Sequence, residues 1–489
     1  MKKIKVTLIV QFFLIGSLVI SCVTENGKLP QDMKNLCELS ETEFATWFKN
    51  GEVTENGIVT PANSVDFIHN NNCDFYKWSE RMFLWMTSTS DQKTIFESPE
   101  FYSVSPKKII GNDTIRELIP HQSGQLLRAI ANVDKSGSII SEEGQATDDA
   151  LMDKNESLVY YISMVNDVYA EFLTAVKNKK MSGNSFPTTK AERDSIFNYA
   201  KANGILLKNP NTLAIEIKTS WVEVSKLKNS EEYIIIDAII PTYNKKNKKL
   251  WKIEGERKTK LALIGIHIVG SANGHPEMIW ATFEHKKNTP NAAYQYVNNK
   301  DIIVTIEPDK NKDWLLNDNL NDSTNISHMT FSDDKIIAKK NREISASNTL
   351  RTKPWGSSID VRPNAEDHSP AASNSEIIAI NNSIINKLKG KDIRKNYIFI
   401  GATWTENGTA PNGYSYNPNV ESLKVPGVAI GASQLANSTM ETYVQNGDKY
   451  NPFGSCFSCH SSNKNLQPSS LSHVFARIVP LSKRKKPIK

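Results

Sequence analysis

Ala214-Ile215-Glu216-Ile217-Lys218-Thr219-Ser220-Trp221-Val222-Glu223-Val224 is the stretch that sets the fold class. Apolar and polar residues alternate along it almost strictly, the period of a strand with one buried face. Working outward, Leu158–Ile162, Tyr233–Ile240 and Lys260–Val269 read as further apolar strands, and Met278–Glu284 as another, bracketed by Pro276 and Pro290. Consecutive strands with short polar connections predict an antiparallel meander rather than βαβ units. Strict alternation places His267 on one face with Leu263, Gly265 and Val269, and His285 with Phe283 and Ala281.

Helices are expected around this core. Ser40-Glu41-Thr42-Glu43 forms a capping box ahead of Phe44, Trp47 and Phe48. Asp74–Thr87 carries an aromatic stripe of Phe75, Trp78 and Trp85 with Met82 and Met86, which reads as core. Further helices are predicted over Val168–Lys177, from Thr189 to Lys201, over Ser375–Leu388, and over Gln434–Gln445, the last carrying Met440. Thr114–Leu118, Ser138–Ile140 and Asn396–Thr403 complete the expected strands. The fold class is therefore α+β: an antiparallel sheet core, flanking helices and a separate C-terminal segment. The expected division is 1–21, 22–39, 40–305, a loop-rich 306–374, and 375–489.

Near the C-terminus stands Cys456-Phe457-Ser458-Cys459-His460. This C-x-x-C-H run reads as a site of covalent c-type haem attachment. Two thiols on one helical turn reach the two vinyl groups, and the next residue, His460, lies under the iron as proximal ligand. Zinc would require a second pair of ligands at suitable spacing, which does not follow. A thioredoxin-like dithiol would follow a strand, whereas this run follows Asn451-Pro452-Phe453-Gly454.

The start of the chain agrees with that chemistry. Lys2, Lys3 and Lys5 precede an apolar run from Val6 to Ile20, the pattern of a secretory signal. It ends Leu18-Val19-Ile20-Ser21-Cys22, which resembles a bacterial lipobox and implies cleavage before Cys22 and lipid attachment to its thiol. Residues 22–39 are then expected to be a tether. The expected location is the bacterial cell envelope, on its periplasmic side or as an outer-membrane lipoprotein. Five cysteines divide cleanly: Cys22 to lipid, Cys456 and Cys459 to one haem, and Cys37 with Cys73 to a disulfide. The formal charge is +6, and losing the three signal lysines leaves +3, too little to argue for nucleic acid. Lys483-Arg484-Lys485-Lys486 reads as a solvated end. No nucleotide-binding or hydrolase motif is present.

Several segments together resemble a family of exported bacterial proteins labelled "cytochrome c family protein". They are Trp78–Thr87, Gly144–Asn166, Glu216–Trp221, Gly265–Pro290 with Trp280–His285 and Asn288, and Leu435–Glu441 followed by the Cys456–His460 motif. The resemblance implies an exported monohaem protein and assigns it no substrate.

The iron's second axial position is the open question. No methionine follows His460, so the candidates are Met440 upstream and His473 downstream, with His267 and His285 as further histidines able to line the pocket. A distal Met440 or His473 implies electron transfer with a redox partner protein. An open, five-coordinate iron implies an oxidoreductase acting on a small molecule. Cytochrome P-460-type enzymes also place C-x-x-C-H after a sheet, a likeness of fold level only. A third alternative is a surface protein in which haem is structural.

Overall fold

The computed structural model describes residues 29–481 apart from 91–92, 111–112, 123–125, 130–148, 311–312, 320–322, 333, 359–367, 446–454 and 462–463. The signal segment, Cys22, the expected strand at Ser138–Ile140 and the basic tail lie outside the described residues.

A 12-stranded sheet organises the described chain. Its main path uses β1 (Phe101–Val104), β2 (Leu118–Pro120), β3 (Tyr160–Asn166), β4 (Ile215–Glu223), β6 (Leu250–Ala272), β7 (His275–His285), β8 (Tyr397–Thr405) and β9 (Ala429–Gly431), and β5 (Ile235–Asn244) pairs with β6 off that path. The order is β9-β8-β7-β6-β4-β3-β1-β2, and every pairing along it is antiparallel. The 23-residue β6 serves two neighbourhoods. Its first half pairs with β5, and its second half lies between β4 and β7. Strands β8 and β9 complete the same sheet, so 375–489 does not fold apart from 40–305.

The two faces of the sheet have different coverings. On the first, Ile217, Trp221, Ile266, Ile268, Ala281 and Phe283 pack against α1 (Asn72–Met86) and α2 (Pro370–Lys387). Phe83 stacks on Phe283 with ring centres 4.4 Å apart. The aromatic stripe of α1 is thus core, as its spacing predicts. The second face carries Glu216, Lys218 and Ser220 from β4, Gly265 and His267 from β6, and Trp280, Thr282 and Glu284 from β7. The C-terminal segment covers it.

A β-bulge between Leu263 and Gly265 decides which residues reach that second face. Strict alternation groups Leu263 with His267. The bulge corrects this: Leu263 joins the core with Trp221, and Gly265, His267 and Val269 turn to the other side.

Residues 29–39 are not the expected tether. Lys34 donates its backbone N–H to Val297 (2.7 Å), Asn382 donates to the Pro30 carbonyl (2.6 Å), and the Leu39 N–H donates to Ser383 (2.9 Å). Cys37 and Cys73 form a disulfide across 36 residues. Closing a loop of that size stabilises the fold by roughly 4 kcal/mol in the chain-entropy account.

His285 ends β7 inside the core. Its ring stacks on Tyr233 with centres 3.8 Å apart. Its Nε2–H donates to the Glu232 carbonyl (3.2 Å), and its Nδ1 accepts from the Lys287 N–H (3.3 Å). It is a satisfied structural histidine on the face away from the C-terminal segment. Burial drives its pKa down to about 3; Lys286 and Lys287 add to this, and the Glu232 carbonyl opposes it. A depressed histidine pKa gives stability that is complete above the unfolded value of about 6.5 and is lost as pH falls toward the folded value. Between pH 7 and 4.5 the wild type should therefore lose ~2–3 kcal/mol that a His285→Gln variant does not. Urea unfolding of both proteins at the two pH values measures this, and parallel losses would contradict it.

Candidate functional site

Cys456 to His460 forms one helical turn, with Cys459 and His460 both donating backbone N–H groups to the Cys456 carbonyl (3.3 and 3.1 Å). Both thiols are free, Cys456 half-buried and Cys459 exposed. Gly413 lies against the turn at φ +90°, where a Cβ would stand 3.3 Å from the Ser458 Cα. Only glycine suits that conformation and approach.

His460 is held by its surroundings. Its Nδ1–H donates to the Leu471 carbonyl at 2.9 Å, which leaves the Nε2 lone pair available. The His473 ring stacks on it with centres 4.0 Å apart and planes 12° apart. Trp280 lies on it at 4.4 Å, and Phe457 meets Trp280 edge-on at 5.6 Å. Burial pushes the His460 pKa well below the ordinary imidazole range. His473, Lys218 and His267 push it the same way, and the Leu471 carbonyl opposes them. The imidazole is neutral, the form that ligates a metal.

Burial, the Glu441 carboxylate and the second thiol push Cys456 up to about 12. Cys459 is raised as well, chiefly by burial. The turn therefore has the parts that covalent haem attachment requires: two free adjacent thiols and a neutral, oriented imidazole.

Beside the turn is a charged row. Lys218, His267 and Thr282 stand in register across β4, β6 and β7. His267 Nε2 lies 2.9 Å from the Glu441 carboxylate. Burial raises the Glu441 pKa, but His267, Lys218 and the Asn437 N–H outweigh it, and the net shift is downward. Burial lowers Lys218 to about 8 against the pull of Glu441 and Glu216. One strand row further, Glu216 accepts from the Ser472 hydroxyl (2.6 Å).

The segment before the motif is pinned by a buried ion pair. Arg351 Nη2 donates to Glu284 Oε2 at 2.7 Å, and both side chains are inaccessible to solvent or nearly so. Glu284 also accepts the Ser438 N–H (2.7 Å) and the Ser438 hydroxyl. Asn437 donates to Thr282 Oγ1 (2.8 Å) and the Phe283 carbonyl (3.1 Å). A Cβ at position 265 would stand 2.5 Å from Thr439 Oγ1, so only glycine admits this loop.

These contacts overturn the expected helix over Gln434–Gln445. The segment is a run of turns with one 3-10 turn at Thr442–Val444. Asn437 Oδ1 accepts from the Thr439 N–H (2.9 Å) and hydroxyl (2.6 Å), giving the backbone an alternative to the helical ladder.

Met440 is fully buried in an apolar cluster with Leu151, Val159, Val222, Ala262 and Ile264. The next residue, Glu441, acts on the thiols instead. His473 is beside the proximal ring, and its Nε2 donates to the Cys459 carbonyl (3.2 Å). The structure brings His460, His473 and the two thiols together, and places Met440 in the apolar cluster. Lys218, Glu284, Arg351 and the Leu471 carbonyl were not among the expected site groups. The alternation of β4 does mark Lys218 as facing away from the core, but only the tertiary fold shows what it faces. Compared with known proteins, the chain matches no family model, no curated protein and no solved structure.

Proposed function

We propose that this is an exported, lipid-anchored haemoprotein with one c-type haem joined to Cys456 and Cys459 and with His460 as proximal ligand. In this reading it exchanges electrons with a partner protein. The observation that carries it is the His460 ring, fixed through Nδ1 by the Leu471 carbonyl, on one turn with two free neutral thiols. The bound haem would supply a one-electron redox centre. The chain's own residues fix the imidazole's tautomer, flank it with Trp280 and His473, and close the sheet side of the site with Lys218, His267 and Glu441.

One observation favours a second reading, an oxidoreductase open to a small molecule. Met440 and His473 are both engaged elsewhere, which argues for an iron without a strong distal ligand. Absorption spectra of ferric and ferrous protein, with and without carbon monoxide, separate the two. A high-spin haem that binds carbon monoxide supports the open site, and a low-spin haem indifferent to it supports the carrier. Met440→Ala should cost ~2–5 kcal/mol, as a large-to-small core change does, and leave the spectrum unchanged. Conversion from low to high spin in that variant would contradict the packing role of Met440.

Anchoring rests on Cys22. No helix among the described residues is long and apolar enough to cross a membrane. Cys22→Ala should move the protein from the detergent phase to the soluble exported fraction, since buried acyl chains hold at about 0.8 kcal/mol per CH₂. Unchanged partitioning would count against lipidation.

A further inference from the structure

A two-stranded hairpin, Tyr294–Val297 with Ile303–Ile306, stands outside the main sheet. Its inner side is fixed to α2. Ser375 Oγ accepts from the Val297 N–H (2.7 Å), and Asn374 donates to the Gln295 carbonyl (2.7 Å). The tip is closed by its own bonds. Asn298 Oδ1 accepts from the Lys300 and Ile302 N–H groups (3.0 Å each), and the Asn298 N–H donates to the Ile302 carbonyl (2.9 Å). Ile302 and Ile303 nevertheless stand 55% and 53% exposed on it. Single exposed apolar side chains are ordinary. Among the described residues, these are the only two large ones exposed side by side in the chain.

The first described residues lie against this tip. The Asn299 N–H donates to the Asp32 carbonyl (2.7 Å), the Tyr296 hydroxyl donates to Asp32 Oδ1 (2.6 Å), and Lys34 Nζ is 2.6 Å from the Asp301 carboxylate. Leu29 comes seven residues after Cys22, a reach of at most ~25 Å. Acyl chains on Cys22 therefore hold the tip within reach of the bilayer surface.

We infer that the Ile302–Ile303 tip enters the lipid interface beside the acylated Cys22 and sets how the body stands on the membrane. The inference rests on the lipid-anchor reading above. Two apolar side chains suit the headgroup–acyl boundary, and the exposed Lys300 beside them is long enough to reach lipid phosphate. The Lys300 and Ile302 N–H groups are already bonded within the turn, which lowers the cost of leaving water. The contact is shallow. Ile303–Ile306 pairs only with Tyr294–Val297 among the described strands, so its outer backbone groups stay in the hydrated headgroup layer. The acyl chains supply the affinity, and the tip supplies the orientation.

The test is tryptophan quenching in the lipidated full-length protein on vesicles of phosphatidylethanolamine and phosphatidylglycerol, with and without brominated acyl chains. Ile303→Trp should lose about half or more of its added emission to lipid brominated near the headgroup, and less to lipid brominated near the chain end, the pattern of an interfacial contact. Leu206→Trp is the control. Leu206 is also exposed, but its neighbour Leu207 packs with Leu471 and Phe475 on the other face of the sheet, and its added emission should not change. Amide hydrogen exchange gives a second reading with the tip unaltered. Residues 299–304 of the wild type on vesicles should exchange at least about threefold more slowly than in the soluble Cys22→Ala protein. Emission and exchange untouched by the vesicles, in a protein whose N-terminal peptide carries lipid, overturn this inference alone. Slow exchange in Cys22→Ala that deepens with protein concentration would make the exposed edge a contact between two copies, and likewise overturn it. An N-terminal peptide without lipid overturns it together with the anchor reading.

Discussion

Glu284→Ala should destabilise the protein by roughly 3–5 kcal/mol, the cost of removing one partner of a buried ion pair. Arg351 would be left charged in a site where it is 2% exposed. The loss is also local. Glu284 accepts both the backbone and the hydroxyl of Ser438, so the 435–441 segment loses its anchor on the sheet. Limited proteolysis should show this segment opening first, and urea unfolding should show the free-energy loss. A Glu284→Gln, Arg351→Met double variant should lose less than Glu284→Ala alone, because it leaves no unpaired buried charge. A loss below about 1 kcal/mol for Glu284→Ala, a surface-like value, would contradict the role given to this pair.

Replacing Cys456 and Cys459 together by Ala should abolish covalent haem in a host that attaches c-type haem. Each single variant should retain one thioether at most. The turn itself should survive, because it is held by backbone bonds to the Cys456 carbonyl and by the packing of Phe457 on Trp280. Haem staining of denaturing gels reads attachment, and circular dichroism reads the fold. Staining undiminished in the double variant would sink the assignment. The prediction is one of chemistry, read by attachment and not by stability.

Legibility in the sequence followed periodicity. The β4 stretch and the aromatic face of α1 were readable because a two-residue or 3.6-residue period survives where one face is buried. The first half of β6 was not readable, because Lys252 to Lys260 is largely exposed and has no buried face to impose a pattern. The bulge at Leu263 was hidden for a different reason: it inserts one residue without a composition signal, and so takes Leu263 off the face that carries His267. The 434–445 segment misled because its apolar and small residues fit a helix, while Asn437, Ser438 and Thr439 spend their polar groups on the sheet. The C-x-x-C-H turn, by contrast, is legible as a motif. Its chemistry depends on short spacing, whereas the groups around it come from strands up to 250 residues away and appear only once the sheet is formed.

The central claim is covalent haem on Cys456 and Cys459. The most direct measurement is the mass of the peptide spanning 456–460, released by proteolysis from the denatured, unmodified full-length protein after export. The account predicts a peptide carrying one haem on two thioether bonds. A peptide with two free thiols, or with Cys456 joined to Cys459 in a disulfide, would contradict it.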